Sequence, residues 1–473
     1  MMGFRFEDTI VAPATVPGAG ALSVIRLSGP SVYEVLDKTI SFKKGNVNDF
    51  RPYTIHFGSI LREDGAVLDD VLVSVFRAPH SYTGEDSAEI SCHASAYIVS
   101  EALRLLTGAG ARPAGPGEFT KRAFLNGKMD LAQAEAVADL ISARDEASRR
   151  VAFSQLRGGV SSELKHLRDK LLELTALMEL ELDFSEEDVE FADRDRLSAL
   201  LDEAIDRVSS LADSFRAGNA IRNGVPVVIA GAPNTGKSTL LNALLGDERA
   251  IVSDIPGTTR DTVEDVVNIG GVSFRFIDTA GLRETRETVE KMGIERSLQK
   301  LGQASLVLAV VDADGDPETV RGSLEEIAGA LDLGWQKCLV LINKIDKLSD
   351  NKKVSALNKL VSSIDGKLVC MEISAKEGIG LPAVKNWLAD SQKGLLAHSD
   401  DTVLVTNVRH FNALRESLSY LLKAREGLAC SRPSDLVAQD LRDAINPIGA
   451  VIGDSITPDE TLGLIFSRFC IGK

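Results

Sequence analysis

Val227-Val-Ile-Ala-Gly231-Ala-Pro-Asn-Thr-Gly236-Lys237-Ser238-Thr239-Leu-Leu241 runs from a short apolar strand through GxxxxGK[ST] into an apolar helix. Strand, glycine-rich loop and helix stand in the order that phosphate binding requires. The glycines let backbone N–H groups wrap an anion, and the helix N-terminus adds its positive end. Lys237 is placed to reach the outer phosphates of a nucleotide, and the Ser238 hydroxyl to ligate Mg2+. Asn234, Thr235, Gly236 and Thr239 complete the expected cradle. From average composition, the four specified positions recur by chance in roughly 2% of chains this long. A plain glycine-rich turn is therefore a weak competitor.

Outward from this loop, between about residues 225 and 387, apolar runs alternate with helix-length polar segments. The runs are Val227 to Ala230, Phe274 to Ile277, Leu306 to Val311, Cys338 to Ile342 and Leu368 to Ile373. That alternation predicts a mostly parallel sheet covered on both faces. Three motifs follow the loop, each at the carboxyl end of a run. Asp278, Thr279, Ala280 and Gly281 would place a carboxylate near Mg2+ and a glycine amide at a γ-phosphate. Asn343-Lys344-Ile345-Asp346 offers a carboxylate able to accept two hydrogen bonds from guanine N1 and N2, a donor pair that adenine lacks. Ser374, Ala375 and Lys376 offer a backbone N–H to the guanine O6. Each motif alone is common; together and in this order they predict a GTP site. Leu282 follows Gly281, so the glutamine that orients water in Ras-like enzymes is absent. A substitute cation would have to supply what an arginine finger gives, about 10³ to 10⁵ in rate, or roughly 4 to 7 kcal/mol.

The chain has 473 residues, 44% hydrophobic and 26% charged, a soluble globular balance. At about 150 residues per domain it predicts roughly three domains. No apolar run approaches the 18 or so residues of a membrane span. Glu7, Asp8, Pro13 and Pro17 do not suit a secretory signal, so a cytoplasmic chain is expected. Five scattered cysteines without a CxxC pair, and six histidines without HxxxH or HExxH spacing, fit neither a disulfide framework nor a histidine metal site. A net charge of −16 argues against coating nucleic acid by bulk electrostatics, so RNA binding would need a local patch.

Four segments are expected. Residues 1–120 read as mixed α/β, with β-rich runs at Ala21 to Leu27, Asp70 to Phe76 and Ser87 to Cys92. Residues 121–222 read as helical: Leu164, Leu167, Leu171, Leu174 and Met178 keep heptad spacing, and a second helix is expected from about Arg194 to Phe215, with Gly218 and Gly224 marking its boundary. Residues 223–387 form the α/β nucleotide module. Residues 388–473 are helical again, with Leu414, Leu418 and Leu421 on one face and another helix ending before Pro447. The module is expected to be inserted into one helical domain whose halves pack together.

These residues resemble the tRNA-modification GTPases of the MnmE (TrmE) family over essentially the whole chain. The carriers are the phosphate loop, Asp254-Ile-Pro-Gly-Thr-Thr-Arg-Asp261, Gly117-Glu-Phe-Thr-Lys-Arg-Ala-Phe-Leu-Asn126 running into Asp130-Leu-Ala-Gln-Ala-Glu135, and the terminal Phe469-Cys-Ile-Gly-Lys473. The last two are highly specific. The resemblance implies a multidomain α/β plus α fold: an N-terminal folate-binding-like and dimerisation domain, an all-helical domain, and an inserted Ras-like P-loop GTPase domain. It implies a potassium-dependent GTPase whose modules meet face to face in a homodimer. Asn234, Ser253, Ile255 and Thr258 would surround K+, Ser238 and Thr259 would hold Mg2+, and Asp254, Pro256 and Gly257 belong to the same nucleotide segment. Ser253 departs from the threonine expected in many relatives, though an oxygen ligand survives the change. Glu290 would orient water as the catalytic glutamate; as a bare residue it also reads as a solvated helix-face acid.

The resemblance further implies that Arg26, Glu89 and Lys128, with Lys473 nearby, bind a tetrahydrofolate derivative in its 5,10-methylene form. Chemically the set also fits surface ion pairs. Cys470 would lie near the modification site as nucleophile or proton donor; Gly472 and Lys473 rule out a prenylation box. The partner implied is an FAD-dependent MnmG-type protein in a heterotetramer, acting with this chain to place an aminomethyl or carboxymethylaminomethyl group on C5 of the wobble uridine of certain tRNAs. Basic residues at Arg144, Arg149, Arg150, Arg157, Lys165, Arg168 and Lys170, and at Arg409, Arg415, Lys423 and Arg425, read either as solvated helix faces or as a tRNA or partner surface. The alternative is a regulatory GTPase switch in ribosome assembly; a free-standing aminomethyltransferase would leave the inserted module unexplained.

Overall fold

The computed structural model describes residues 6–18, 20–183, 194–246, 265–277, 301–302, 304–332, 334–348, 352–366, 368–392, 403–430, 432–454, 462, 465–467, 469 and 472. It divides into two compact units. One comprises 1–138, 155–191 and 433–473; the other 139–154 and 192–432. Among the described residues no helix is long and apolar enough to cross a membrane.

In the first unit β1 (Thr9–Pro13), β2 (Leu22–Ser28), α1 (Val32–Thr39), β3 (Ile40–Phe42), β4 (Thr54–Leu61), β5 (Val67–Phe76), β6 (Ser87–His93), α2 (Ala96–Gly108) and β7 (Ala111–Pro113) build a seven-stranded sheet of order β3-β4-β5-β6-β2-β1-β7. Its strands are antiparallel except at the β1–β7 pair, which α2 permits by crossing over. The inward positions of β5, Val71, Val73 and Val75, alternate with outward ones as a half-covered sheet demands. α3 (Glu118–Leu125) and α4 (Leu131–Ser142), the latter in this unit through residue 138, follow. α6 (Gly159–Asp183) buries Leu164, Leu167, Leu171, Leu174 and Met178, the heptad stripe of the sequence, and packs against α13 (Ser434–Ile452).

Pro447 lies inside α13, and the helix does not end before it. Proline removes one N–H donor and crowds the preceding turn. Here Ile445, Ile448, Val451 and Ile452 are all buried around it, so the packed face continues across the proline and holds the helix together.

The second unit holds α5 (Glu146–Leu156) through residue 154, α7 (Arg194–Asn223), β8 (Val225–Ala230), α8 (Lys237–Leu245), β9 (Asp265–Ile269), β10 (Val272–Phe276), β11 (Leu306–Asp312), α9 (Pro317–Gly329), β12 (Lys337–Asn343), α10 (Lys352–Ile364), β13 (Val369–Glu372), α11 (Leu381–Ser391) and α12 (Val408–Ala429). The sheet order is β13-β12-β11-β8-β10-β9, parallel throughout except for the β9–β10 hairpin. Leu306 to Val311 is buried on both faces, which explains an unbroken apolar run in place of alternation. α7 and α12 pack together, with Phe215 stacked on Phe411 at 4.5 Å.

Gly218 does not mark a helix boundary. It lies within α7, which ends at Asn223 before Gly224 (φ +84°). A Cβ on Gly218 would stand 2.3 Å from the Val405 carbonyl oxygen. The glycine therefore serves close passage of the irregular segment 404–406 over the helix, which the Val405 N–H to Ser214 Oγ bond (3.0 Å) fixes.

Candidate functional site

Gly231 to Gly236 joins β8 to α8, so the first helical N–H groups open toward the loop. Gly231 (φ +141°) lies so close to β11 that a Cβ would meet the Val310 carbonyl oxygen at 2.2 Å. Gly236 (φ +98°) caps α8, and a Cβ there would meet Asn343 Nδ2 at 2.3 Å. Asn234 is itself left-handed (φ +62°). The Thr235 hydroxyl donates to the Ala232 carbonyl (2.9 Å), closing the loop's crest. Lys237 Nζ donates to the Gly231 and Ala232 carbonyls, both at 2.8 Å, and burial pulls its ammonium below the ordinary lysine value. A cation held over the loop by carbonyls it can leave is suited to an anionic ligand. Ser238 and Thr239 begin α8, Ser238 half-buried and Thr239 exposed.

Two further loops reach the same cradle. Asn343, only 2% exposed, donates from Nδ2 to the Thr235 carbonyl (2.8 Å) and accepts at Oδ1 from the Ala375 N–H (3.0 Å). One side chain thus ties the phosphate loop to the loop after β13. Lys344 is left-handed (φ +68°), and its Nζ donates to the Asn234 carbonyl (2.5 Å) and to Asp312 Oδ2 (2.6 Å). Asp346 opens outward on a short 3-10 turn, Ile345–Lys347, and accepts from the Ser374 hydroxyl at 2.5 Å. That hydrogen bond, helped by the nearby Lys376 and Lys347, keeps its carboxyl below the ordinary aspartate range. Ser374 and Ala375 are buried, while Lys376 is exposed beside Glu377. The set Asn234, Thr235, Gly236, Lys237, Asn343, Lys344, Asp346, Ser374 and Ala375 is therefore brought together.

Asp312 belongs with them and was not singled out in the sequence. Its one signal was position, at the carboxyl end of the Leu306 to Val311 run, where the other motifs also stand. Ser253, Asp254, Ile255, Pro256, Gly257, Thr258, Thr259, Asp278, Thr279, Ala280, Gly281 and Glu290 lie outside the described residues. Among the described residues no cluster of three His, Cys, Asp or Glu suits a metal ion.

The first unit holds the other set. Arg26 on β2 and Glu89 on β6 are cross-strand partners, joined from Nε (2.9 Å) and from the terminal nitrogen (2.8 Å). The Arg26 guanidinium also lies 5.5 Å from the Tyr82 ring centroid and donates to the Gly472 carbonyl (3.3 Å). Gly472 (φ +97°) fits against β1 so closely that a Cβ would stand 2.1 Å from the Pro13 carbonyl oxygen. Phe466 and Phe469 pack with Leu131, Ala134 and Leu462 in one apolar cluster, seating the tail. Lys128 Nζ donates to the Pro79 carbonyl (2.9 Å) and not to Glu89. Cys470 and Lys473 lie outside the described residues. Beside this set, Arg122 is fully buried and bonds Asp8 (2.8 Å), Glu118 (3.0 Å) and Glu85 (3.3 Å), holding α3 to the start of β1.

The chain matches two family models, "GTP-binding protein TrmE N-terminus" over residues 9–128 and "MnmE helical domain" over 131–470. It is 47% identical to the tRNA modification GTPase MnmE of Flavobacterium johnsoniae, covering 99% of each chain. It is 48% identical to that of Bacteroides thetaiotaomicron, covering 99% of this chain and 100% of the other, and 49% identical to that of Cytophaga hutchinsonii, covering 98% of each. Among solved structures, the G domain of the T. maritima FeoB iron transporter is 28% identical, covering 36% of this chain and 99% of that one with a TM-score of 0.26. Matched from its N-terminal sheet to its tail, and carrying the P-loop module of a GTP-hydrolysing enzyme, the chain belongs to the MnmE family of tRNA modification GTPases.

Proposed function

We propose that this GTPase acts as a homodimer with an FAD-dependent MnmG-type partner, in a heterotetramer in the cytoplasm, to modify C5 of the wobble uridine of certain tRNAs. The group added would be aminomethyl or carboxymethylaminomethyl. A 5,10-methylene tetrahydrofolate would supply the one-carbon unit, and FAD on the partner the redox chemistry. The four-part division at residues 120, 222 and 387 goes with this reading.

Within the G module, Lys237 would release its loop carbonyls for the β- and γ-phosphates, Ser238 and Thr259 would hold Mg2+, and Asp346 would accept from guanine N1 and N2 while the Ala375 loop meets O6. Asn234 suits a cation site: its carbonyl is already taken by Lys344, which leaves its side-chain oxygen to a ligand on the loop's exposed crest. With Ser253, Ile255 and Thr258 it would hold K+, which supplies positive charge against the phosphates in the place of an arginine finger. Glu290 would orient water. In the other unit, Arg26 and Glu89 would meet the folate, with Lys128 and Lys473 toward its glutamate tail, and Cys470 would serve the tRNA chemistry.

The observation that carries the reading is the tail. The Gly472 carbonyl accepts from Arg26, which supports a tail that ends at the Arg26–Glu89 pair, and the reading adds Cys470 and Lys473 to that tail as its chemistry. Nucleoside mass spectrometry on tRNA from a deletion strain tests it. Loss of the C5 modification, restored by the parent chain and not by Cys470→Ser, is expected; intact modification with a ribosome-assembly defect would favour the regulatory switch. Turnover in K+ against Na+ tests the cation, and equal rates refute it.

A further inference from the structure

Among the described residues of the second unit, two that are not glycine adopt left-handed backbone, Asn234 (φ +62°) and Lys344 (φ +68°), and one ammonium joins them. L-residues avoid this conformation unless their surroundings hold them there, and such residues cluster at ligand sites. Lys344 Nζ reaches the Asn234 carbonyl from one side and Asp312 Oδ2 from the other, at 2.5 and 2.6 Å. Asp312 ends β11 directly opposite Asn343 in the β11–β12 register. Its other oxygen accepts from the Asp314 N–H at 3.1 Å, so that loop fixes the carboxylate independently of the lysine. Both side chains of the ion pair are about three-quarters buried, at 23% and 29% exposure, where solvent screens little.

We propose that Asp312 is a positioning residue for guanine-nucleotide binding, its carboxylate clamping Lys344 so that one ammonium holds the crest of the phosphate loop and the base-reading turn in register. The argument is one of preorganisation. A free lysine side chain samples many rotamers, and the ordering cost then falls on nucleotide binding. With Asp312 present, Lys344 is already ordered and Asn234 is already left-handed before a nucleotide arrives. The clamp rests on the assignment of Asp346 as the base reader, two residues beyond Lys344.

Asp312→Asn isolates the ion pair. Its side-chain oxygen can still accept from the Asp314 N–H, whereas its amide would turn donors toward the Lys344 ammonium. The full-length variant should melt as the parent chain does, yet bind a fluorescent GDP analogue about tenfold more weakly, through faster dissociation, with kcat at saturating GTP within twofold. Lys344→Met should weaken binding at least as much, and the double variant should bind no more weakly than Lys344→Met alone, because the carboxylate acts only through the ammonium. GDP affinity of Asp312→Asn within twofold of the parent, or losses that multiply in the double variant, overturns the proposal. Asp346→Asn, measured alongside, should move preference from guanosine to xanthosine diphosphate; without that shift it is the base-reading assignment that fails, separately from the clamp.

Discussion

Replacing Asn343 by alanine removes two hydrogen bonds at once. Its Nδ2 bond to the Thr235 carbonyl and the Ala375 N–H bond to its Oδ1 are both made by a side chain 2% exposed. Each backbone partner left buried without a bond costs about 1–3 kcal/mol. The sum is about 2–6 kcal/mol, and water entering the space of the lost amide brings it to the lower end, about 2–3 kcal/mol. In the empty protein the two loops relax apart and escape much of that cost. A nucleotide must draw them together again, so the cost reappears in binding, as a loss of about 30- to 160-fold in affinity. Stopped-flow binding of a fluorescent GDP analogue, with urea unfolding in parallel, measures both parts. Asn343→Asp should do no better: it keeps an acceptor for Ala375 but sets a carboxylate oxygen against the Thr235 carbonyl. An affinity within twofold of the parent chain for either variant would refute the claim that this side chain joins the two loops.

Gly472→Ala would place a Cβ 2.1 Å from the Pro13 carbonyl at φ +97°, so the tail must leave β1; tRNA modification should fall more than tenfold while GTP turnover holds, and equal modification would unseat the tail's role. Arg122→Met strands Asp8, Glu85 and Glu118 around a buried apolar group and should destabilise the N-terminal sheet by about 3–5 kcal/mol in chemical unfolding. Burial alone would raise Glu118, but bonds from Arg112, the Gly115 N–H and Arg122 outweigh it and hold the carboxyl below its ordinary 4.5. Its folded value being depressed, its contribution is fully present above about pH 4.5 and is lost as pH falls through the folded value; Glu118→Gln should flatten the melting temperature between pH 5 and 3. Glu290→Ala should keep GTP affinity and lose most turnover, and unchanged turnover removes Glu290 from the mechanism.

Local rules made much of this chain legible. The glycine spacing from Gly231 to Gly236, the apolar runs that became β8, β10, β11, β12 and β13, and the heptad of α6 are short-range patterns, fixed by backbone geometry and by which face must be buried. Those runs also placed the motif loops at strand ends, which is why Asn343, Asp346 and Ser374 could be named before any fold was known. Tertiary packing decided what no local pattern encodes. The sequence marks Gly218 and Pro447 as breakers, and packing put both inside helices, one to admit the Val405 backbone and the other because its buried neighbours outweigh a lost N–H. The partnerships of Arg122 with Asp8, of Arg26 with Gly472 and of Lys344 with Asp312 join residues 114, 446 and 32 positions apart. Such pairs form because the packing of whole elements brings distant residues side by side, and hydrogen-bonding chemistry then selects among the neighbours that result.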